Sequence, residues 1–232
     1  MFPPTSSSAP VLLRPRGAMS TTDLEAANRL LEFAEPTDIV AWAVAQFGRR
    51  LAVAASFADT LLIDIASKVD ADIEIVFLDT GFHFPETLET VRRAMDRYEL
   101  RLTVLRPDAD SADLWADEAE ACCASRKSDP LAQYLRSNVD GWLSGLRRAD
   151  DPGRASTPIV TLDNRGLVKV NPLAAMTDED VDAYIADRGV LVNPLVAQGY
   201  ASIGCWPCTV PSSLGRGGRW AGSAKTECGL HL

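Results

Sequence analysis

Two short apolar runs, residues 51–55 and 73–78, and a third strand over residues 100–105 alternate with stretches whose apolar residues recur at helical spacing. Leu51-Ala52-Val53-Ala54-Ala55 and Ile73-Glu74-Ile75-Val76-Phe77-Leu78 are too short for buried helices and are flanked by Ser, Asp and Gly, so they read as strands. Residues 60–69 and 86–98 carry the period of amphipathic helices. When strands and helices alternate in this way, each helix crosses the sheet and returns the chain to a parallel strand. The predicted fold is an α/β, doubly wound, mainly parallel sheet. Ligands of such sheets settle at the carboxyl ends of strands, where residues 56–59 and 79–81 fall.

Around this core, residues 23–35 and 36–47 are predicted as two leading helices, and residues 111–121 and 130–138 as two later ones. Residues 142–146 read as a strand that delivers Arg147 and Arg148, and residues 158–162 and 167–170 flank the turn Asp163-Asn164-Arg165-Gly166. Thr177 with Asp180 has the form of a capping box, opening a helix that runs to about residue 187. From Asn193 the chain is rich in Gly, Ser and Pro. We expect a single domain: a leader over residues 1–20, a nucleotide-binding core over 21–202, and a tail over 203–232 that lies on the active site.

No run of about 18 apolar residues is present that would span a bilayer. The opening residues lack the basic and apolar regions of a secretory signal, which points to the cytoplasm, where thiols stay reduced and cysteines serve as ligands or catalysts rather than disulfides. A net charge of −9 argues against a nucleic-acid partner, which needs a basic footprint. The tail runs against this trend, with Arg216, Arg219 and Lys225 against Glu227. A small anionic substrate would be drawn there.

The cysteines fall into a pair, Cys122-Cys123, a clip, Cys205-Trp206-Pro207-Cys208, and a solitary thiol, Cys228. Two close pairs of thiolates suit a soft metal or an iron-sulfur cluster. Structural zinc usually takes two Cys-x-x-Cys clips, and only one half here is such a clip. Adjacent side chains diverge, so Cys122 and Cys123 fit different corners of a 4Fe-4S cluster better than one tetrahedral ion. Cys228 fits both an incidental tail thiol and a nucleophile, since Lys225 and His231 favour its thiolate and Glu227 opposes it.

The cations group as Arg126-Lys127, Arg147-Arg148 and Arg216 with Arg219; Arg offers a planar fork to sulfate or phosphate oxygens. Ser56 and Asp59 stand between a strand and a helix N-terminus, a place where backbone amides receive phosphate or where Ser and Asp merely cap. His83 reads as a packing residue, and Trp206 and Trp220 as covers for the cysteines rather than platforms on which a base stacks.

With these residues assembled, the chain resembles the assimilatory sulfonucleotide reductases, specifically the adenylyl-sulfate (APS) reductases of the PAPS reductase family. The resemblance rests on Leu78-Asp79-Thr80-Gly81 with Phe84-Pro85-Glu86-Thr87, on Cys122-Cys123 with Arg126-Lys127, and on Gly145-Leu146-Arg147-Arg148. It continues through Ser202-Ile203-Gly204-Cys205, Pro207-Cys208-Thr209, Gly218-Arg219-Trp220 and Lys225-Thr226-Glu227-Cys228-Gly229-Leu230-His231. It implies an adenine-nucleotide alpha-hydrolase-like fold in which Cys122, Cys123, Cys205 and Cys208 hold one 4Fe-4S cluster. It further implies that Cys228 attacks the sulfur of adenosine 5′-phosphosulfate, that AMP leaves an S-sulfocysteine, and that reduced thioredoxin releases sulfite. Ser56, Asp79, Lys127, Arg147, Arg148, Arg216, Arg219 and His231 would lie near the nucleotide. Reduction of the 3′-phosphorylated substrate PAPS, or of both substrates, is the nearest alternative; a zinc-stabilised nucleotide-binding module is a more distant one. Family members carry a longer, glycine-containing loop where this chain has Ala54-Ala55-Ser56-Phe57-Ala58-Asp59.

Overall fold

The structure, a computed structural model, describes residues 19–107, 119–213, 215–220 and 225. Helices α1 (Thr21–Leu31) and α2 (Pro36–Phe47) lead into strand β1 (Leu51–Ala55), and α3 (Leu61–Val69), β2 (Glu74–Leu78), α4 (Pro85–Tyr98) and β3 (Arg101–Leu105) follow. After the cysteine pair come α6 (Asp129–Asn138), preceded by the short α5 (Ala119–Cys123), then β4 (Gly141–Ser144), β5 (Val160–Leu162), β6 (Val168–Val170) and α7 (Asp178–Arg188). The six strands order as β3-β2-β1-β4-β6-β5, parallel except for the β5–β6 hairpin. The direction of winding reverses between β1 and β4, and that switch point places a crevice above the carboxyl ends of both strands.

Strand alternation divides the core into two layers. Val53, Ile75, Phe77 and Leu143 face the larger cluster with α1 to α4, and Ala52, Val76 and Trp142 face a smaller one closed by Leu131 and Leu135 of α6. Local chemistry sets the ends of the elements. Ser20 and Asp23 form a capping box at α1, as Thr177 and Asp180 do at α7, while Pro36 and Pro85 open α2 and α4. Gly141 opens β4 because a Cβ there would meet the Phe47 ring at 2.7 Å. The edge strand β5 is covered by Asn28 of α1, whose amide donates to the Val160 carbonyl at 2.7 Å and accepts from its N–H at 3.0 Å.

Three predicted elements shift. The helix predicted over 23–35 runs from Thr21 to Leu31. The strand predicted over 142–146 ends at Ser144, because the chain leaves the sheet at the exposed Gly145. The helix predicted over 111–121 falls partly outside the described residues, with helical structure present from Ala119 to Cys123. No helix among the described residues is long and apolar enough to cross a membrane.

Candidate active site

Cys122 and Cys123 end α5, and the chain then makes a π turn over Ala124–Ser128 before α6 begins. The Asp129 N–H donates to the Ala124 carbonyl, five residues back, so this turn holds one residue more than α-helical register allows. Cys205 and Cys208 approach from the tail in a 3₁₀ turn, and all four sulfurs are free thiols lining one small cavity. The clip is pinned to the loop after β2: the Trp206 N–H donates to the Phe82 carbonyl at 2.8 Å, and Thr80 Oγ1 lies 3.3 Å from Cys205 Sγ. Arg126 reaches the same loop, donating to the Thr80 carbonyl at 3.0 Å and lying over the Phe82 ring.

Burial pushes the Cys122 thiol up, and the neighbouring Cys123 and Cys205 add to the rise against Arg126 and Lys127. Cys208 is likewise raised, first by burial and then by Cys205, with Lys127 and Arg219 opposing. Thiols raised in this way, as Cys122 and Cys208 are, become thiolate ligands when a cation of high charge joins them. Among the described residues, no three His, Cys, Asp or Glu side chains converge on a single-ion position; the four thiols ring a cavity. A soft, all-sulfur donor set of this kind fits an iron-sulfur cluster.

Trp220 closes the cavity. It is 5% exposed, packs on Cys123 and Cys208, and carries Arg216, Arg219 and Lys225 around its ring, with Arg219 nearest at 4.5 Å. Trp206 is 49% exposed and meets Phe82 edge-on, so only one of the two tryptophans covers the cysteines. Lys225 also pairs with Glu120, one turn before the cysteine pair.

Beside this cavity a cleft of about 540 Å³ opens at the carboxyl ends of β1, β2 and β4. Lys127, Arg216 and Arg219 line it, and Lys127 lines the cysteine cavity as well. Arg219 is aimed by the Ile203 carbonyl at 3.3 Å and Ser202 Oγ at 3.5 Å, and Gly204 leaves the space its guanidinium fills. Ser56 and Asp59 lie in the floor. Between them Phe57 is fully buried with φ at +57°, a left-handed turn that a loop without glycine must force. Asn193 holds that loop: its side chain donates to the Phe57 carbonyl and to Thr87 Oγ1, and its N–H donates to the Ala58 carbonyl. Sequence reasoning passed over Asn193, whose role comes from complete burial. Burial also pushes the Asp59 carboxyl up, against the Leu61 N–H and Arg147.

The remaining predicted positions separate. Arg147 lines the cleft, but its guanidinium is engaged by Asp150 at 3.0 Å and Asp178 at 2.9 Å. Arg148 is not brought to the cleft: beyond β4 it opens a 3₁₀ turn over Arg148–Asp150 behind the extended Arg147, and it turns toward α1, where it forks onto Glu32 at 2.6 and 2.9 Å. Asp79 also lies outside the cleft wall, accepting from the Gly81 N–H and pairing with Arg106 at 3.1 Å. His83 packs on Phe77 and donates from Nε2 to the Leu78 carbonyl at 2.7 Å, with burial lowering its pKa. Cys228 and His231 lie outside the described residues.

A family model described as the phosphoadenosine phosphosulfate reductase domain matches residues 50–211. The adenosine 5′-phosphosulfate reductase of Mycobacteroides abscessus is 41% identical over 231 residues, covering 91% of this chain and 97% of its own length. That of Mycobacterium tuberculosis strain H37Rv is 49% identical over 191 residues, covering 77% of this chain and 75% of its own. Among solved structures, the phosphoadenylyl-sulfate (PAPS) reductase from Candida auris, in a phosphate complex, superposes with a TM-score of 0.75 at 27% identity, covering 83% of this chain and 98% of its own. The FMN adenylyltransferase of Candida glabrata, at 13% identity and a TM-score of 0.57, shares the fold alone. A match spanning the whole sheet and the cysteine clip, joined by relatives alike over three quarters or more of their length, establishes that the chain belongs to the phosphoadenosine phosphosulfate reductase family.

Proposed function

We propose that this chain reduces adenosine 5′-phosphosulfate to sulfite and AMP in sulfate assimilation and cysteine biosynthesis. The observation that carries the reading is Lys127, a buried ammonium on the wall shared by the cysteine cavity and the cleft. A cation held there serves an anionic substrate next to the sulfurs.

Cys228, three positions after Lys225 in the sequence, is the nucleophile. Its thiolate attacks the substrate sulfur, the sulfur–oxygen bond to the phosphate breaks, and AMP departs with the electron pair, leaving an S-sulfocysteine. Lys127, Arg216, Arg219 and His231 balance the charge on the sulfate and phosphate oxygens, so the barrier falls through orientation and electrostatics without an acid or base at the leaving group. A thiolate of reduced thioredoxin then attacks the Cys228 sulfur and sulfite leaves; the second thioredoxin thiol resolves the mixed disulfide and completes the two-electron transfer.

Cys122, Cys123, Cys205 and Cys208 hold one 4Fe-4S cluster. A cluster bound by these four residues would tie the clip to the π turn and supply a fixed local field, while the electrons pass through thiols. Residues 203–232 act as the closing tail of a single domain, and the enzyme works in the cytoplasm. Sulfite release from APS and from PAPS with reduced thioredoxin tests the reading. Turnover of APS alone is the expected result, turnover of PAPS alone or of both substrates replaces the assignment with the alternative specificities, and turnover of neither refutes it.

A further inference from the structure

Ser144 closes β4 at the switch point where the strand order reverses. It is 1% exposed, it lines the cleft, and its Oγ has no hydrogen-bond partner among the described residues. A buried hydroxyl left unsatisfied destabilises a fold, and alanine would occupy the same place without that cost. A polar group kept in such a position on a cleft wall is accounted for by a ligand.

Its surroundings state what part of a ligand belongs there. Ser144 pairs with Ala54 of β1, which pairs in turn with Val76 of β2, so the three form one row across the sheet. Leu78 lies farther along the same face of β2, and Leu131 of α6 stands on the opposite wall. Sulfate and phosphate oxygens find no cation in this row, whose one polar side chain is Ser144; the cations of the cleft lie with Lys127, Arg216 and Arg219. A flat apolar ring with a polar edge is what the row accepts, and a serine hydroxyl can both donate to and accept from such an edge.

Resting on the nucleotide reading above, we propose that Ser144 Oγ hydrogen-bonds the edge of the nucleotide base in a slot formed by Ala54, Val76, Leu78 and Leu131, and so determines base specificity. The test compares the intact wild-type protein with Ser144→Ala, using AMP and ribose 5-phosphate in displacement calorimetry and the melting temperature without ligand. The variant is expected to bind AMP about tenfold more weakly, the factor carried by about 1.4 kcal/mol. Its affinity for ribose 5-phosphate should be unchanged and its ligand-free melting temperature equal or higher. Unchanged AMP affinity overturns the proposal. An equal loss for both ligands moves the hydroxyl to the ribose or phosphate and also overturns it, and a lowered melting temperature does so by revealing an internal structural role. A wild-type protein that binds neither ligand removes the nucleotide reading itself, and this assignment with it.

Discussion

Arg219 offers the sharpest quantitative test of the cleft. Its guanidinium is held over Trp220 at 4.5 Å and steered by the Ile203 carbonyl and Ser202 Oγ, so little side-chain freedom remains to be lost when an oxyanion arrives. A charge-assisted hydrogen bond contributes about 1.5–3 kcal/mol. Arg219→Ala should therefore weaken AMP binding by about 10- to 150-fold in titration calorimetry, since each 1.4 kcal/mol is a factor of ten. Arg219→Lys keeps the charge but loses the fork, and should fall between the two. Gly204→Ala supplies an independent check on the geometry, because its new Cβ would occupy the position of the guanidinium and force Arg219 aside with the charge intact. If both Arg219→Ala and Gly204→Ala bind AMP as the wild type does while remaining folded, Arg219 is not a nucleotide contact and the cationic end of the cleft must be reassigned.

Other perturbations separate the remaining roles. Cys228→Ser should abolish sulfite formation while leaving the iron content of anaerobically purified protein unchanged, and residual turnover would remove Cys228 as the nucleophile. Cys122→Ser or Cys205→Ser should lose iron and the visible absorption of a cluster; either variant retaining its full complement would contradict the ligand set. Glu32 is held below the usual carboxylate range, chiefly by the hydrogen bond from Arg148. A depressed carboxyl stabilises the fold above its unfolded pKa of about 4.3 and loses that contribution as pH falls through its lower folded value. Because the pair is part-exposed, Glu32→Gln should cost about 1 kcal/mol at neutral pH in urea melts, and the gap should narrow as pH falls below the unfolded value and close below the lower folded one. A gap independent of pH would show that the pair's charge contributes nothing.

Much of the sheet was legible because β1 and β2 are largely buried runs whose composition separates them from the amphipathic helices around them, while the partly exposed edge strand β3 follows from its place after the second of those helices. The capping box of α7 and the hairpin turn at Asp163 were open to the same reading, since their chemistry is local: Asp163 accepts from the N–H groups of Arg165 and Leu167 within its own turn. The site was legible only where residue type is itself diagnostic. Four cysteines announce a common cavity wherever they lie in sequence, whereas the paired arginines at the end of β4 look equivalent until the backbone sends Arg147 to the cleft and Arg148 to Glu32. Asn193 and Ser144 carried no signal at all, because Asn and Ser are ordinary loop and strand-end residues whose meaning comes from being buried. The π turn was equally hidden, since it consists of a backbone bond five residues long and no particular side chain.

That turn explains how the two halves of the site are joined. One continuous helical segment presents the cysteine pair, then Lys127, then Leu131, so the sulfur cavity, the cation and the apolar wall of the cleft are fixed relative to one another by a single rigid element. Lys127 is 8% exposed, and a buried ammonium is tolerated only where negative charge meets it. No ion pair to Lys127 is found among the described residues, yet its charge already favours the thiolate forms of both Cys122 and Cys208. Thiolates on one side and a sulfonucleotide on the other would each supply that charge. Filling the sulfur cavity with negative charge would then alter the field that a ligand in the cleft meets without any movement of the chain.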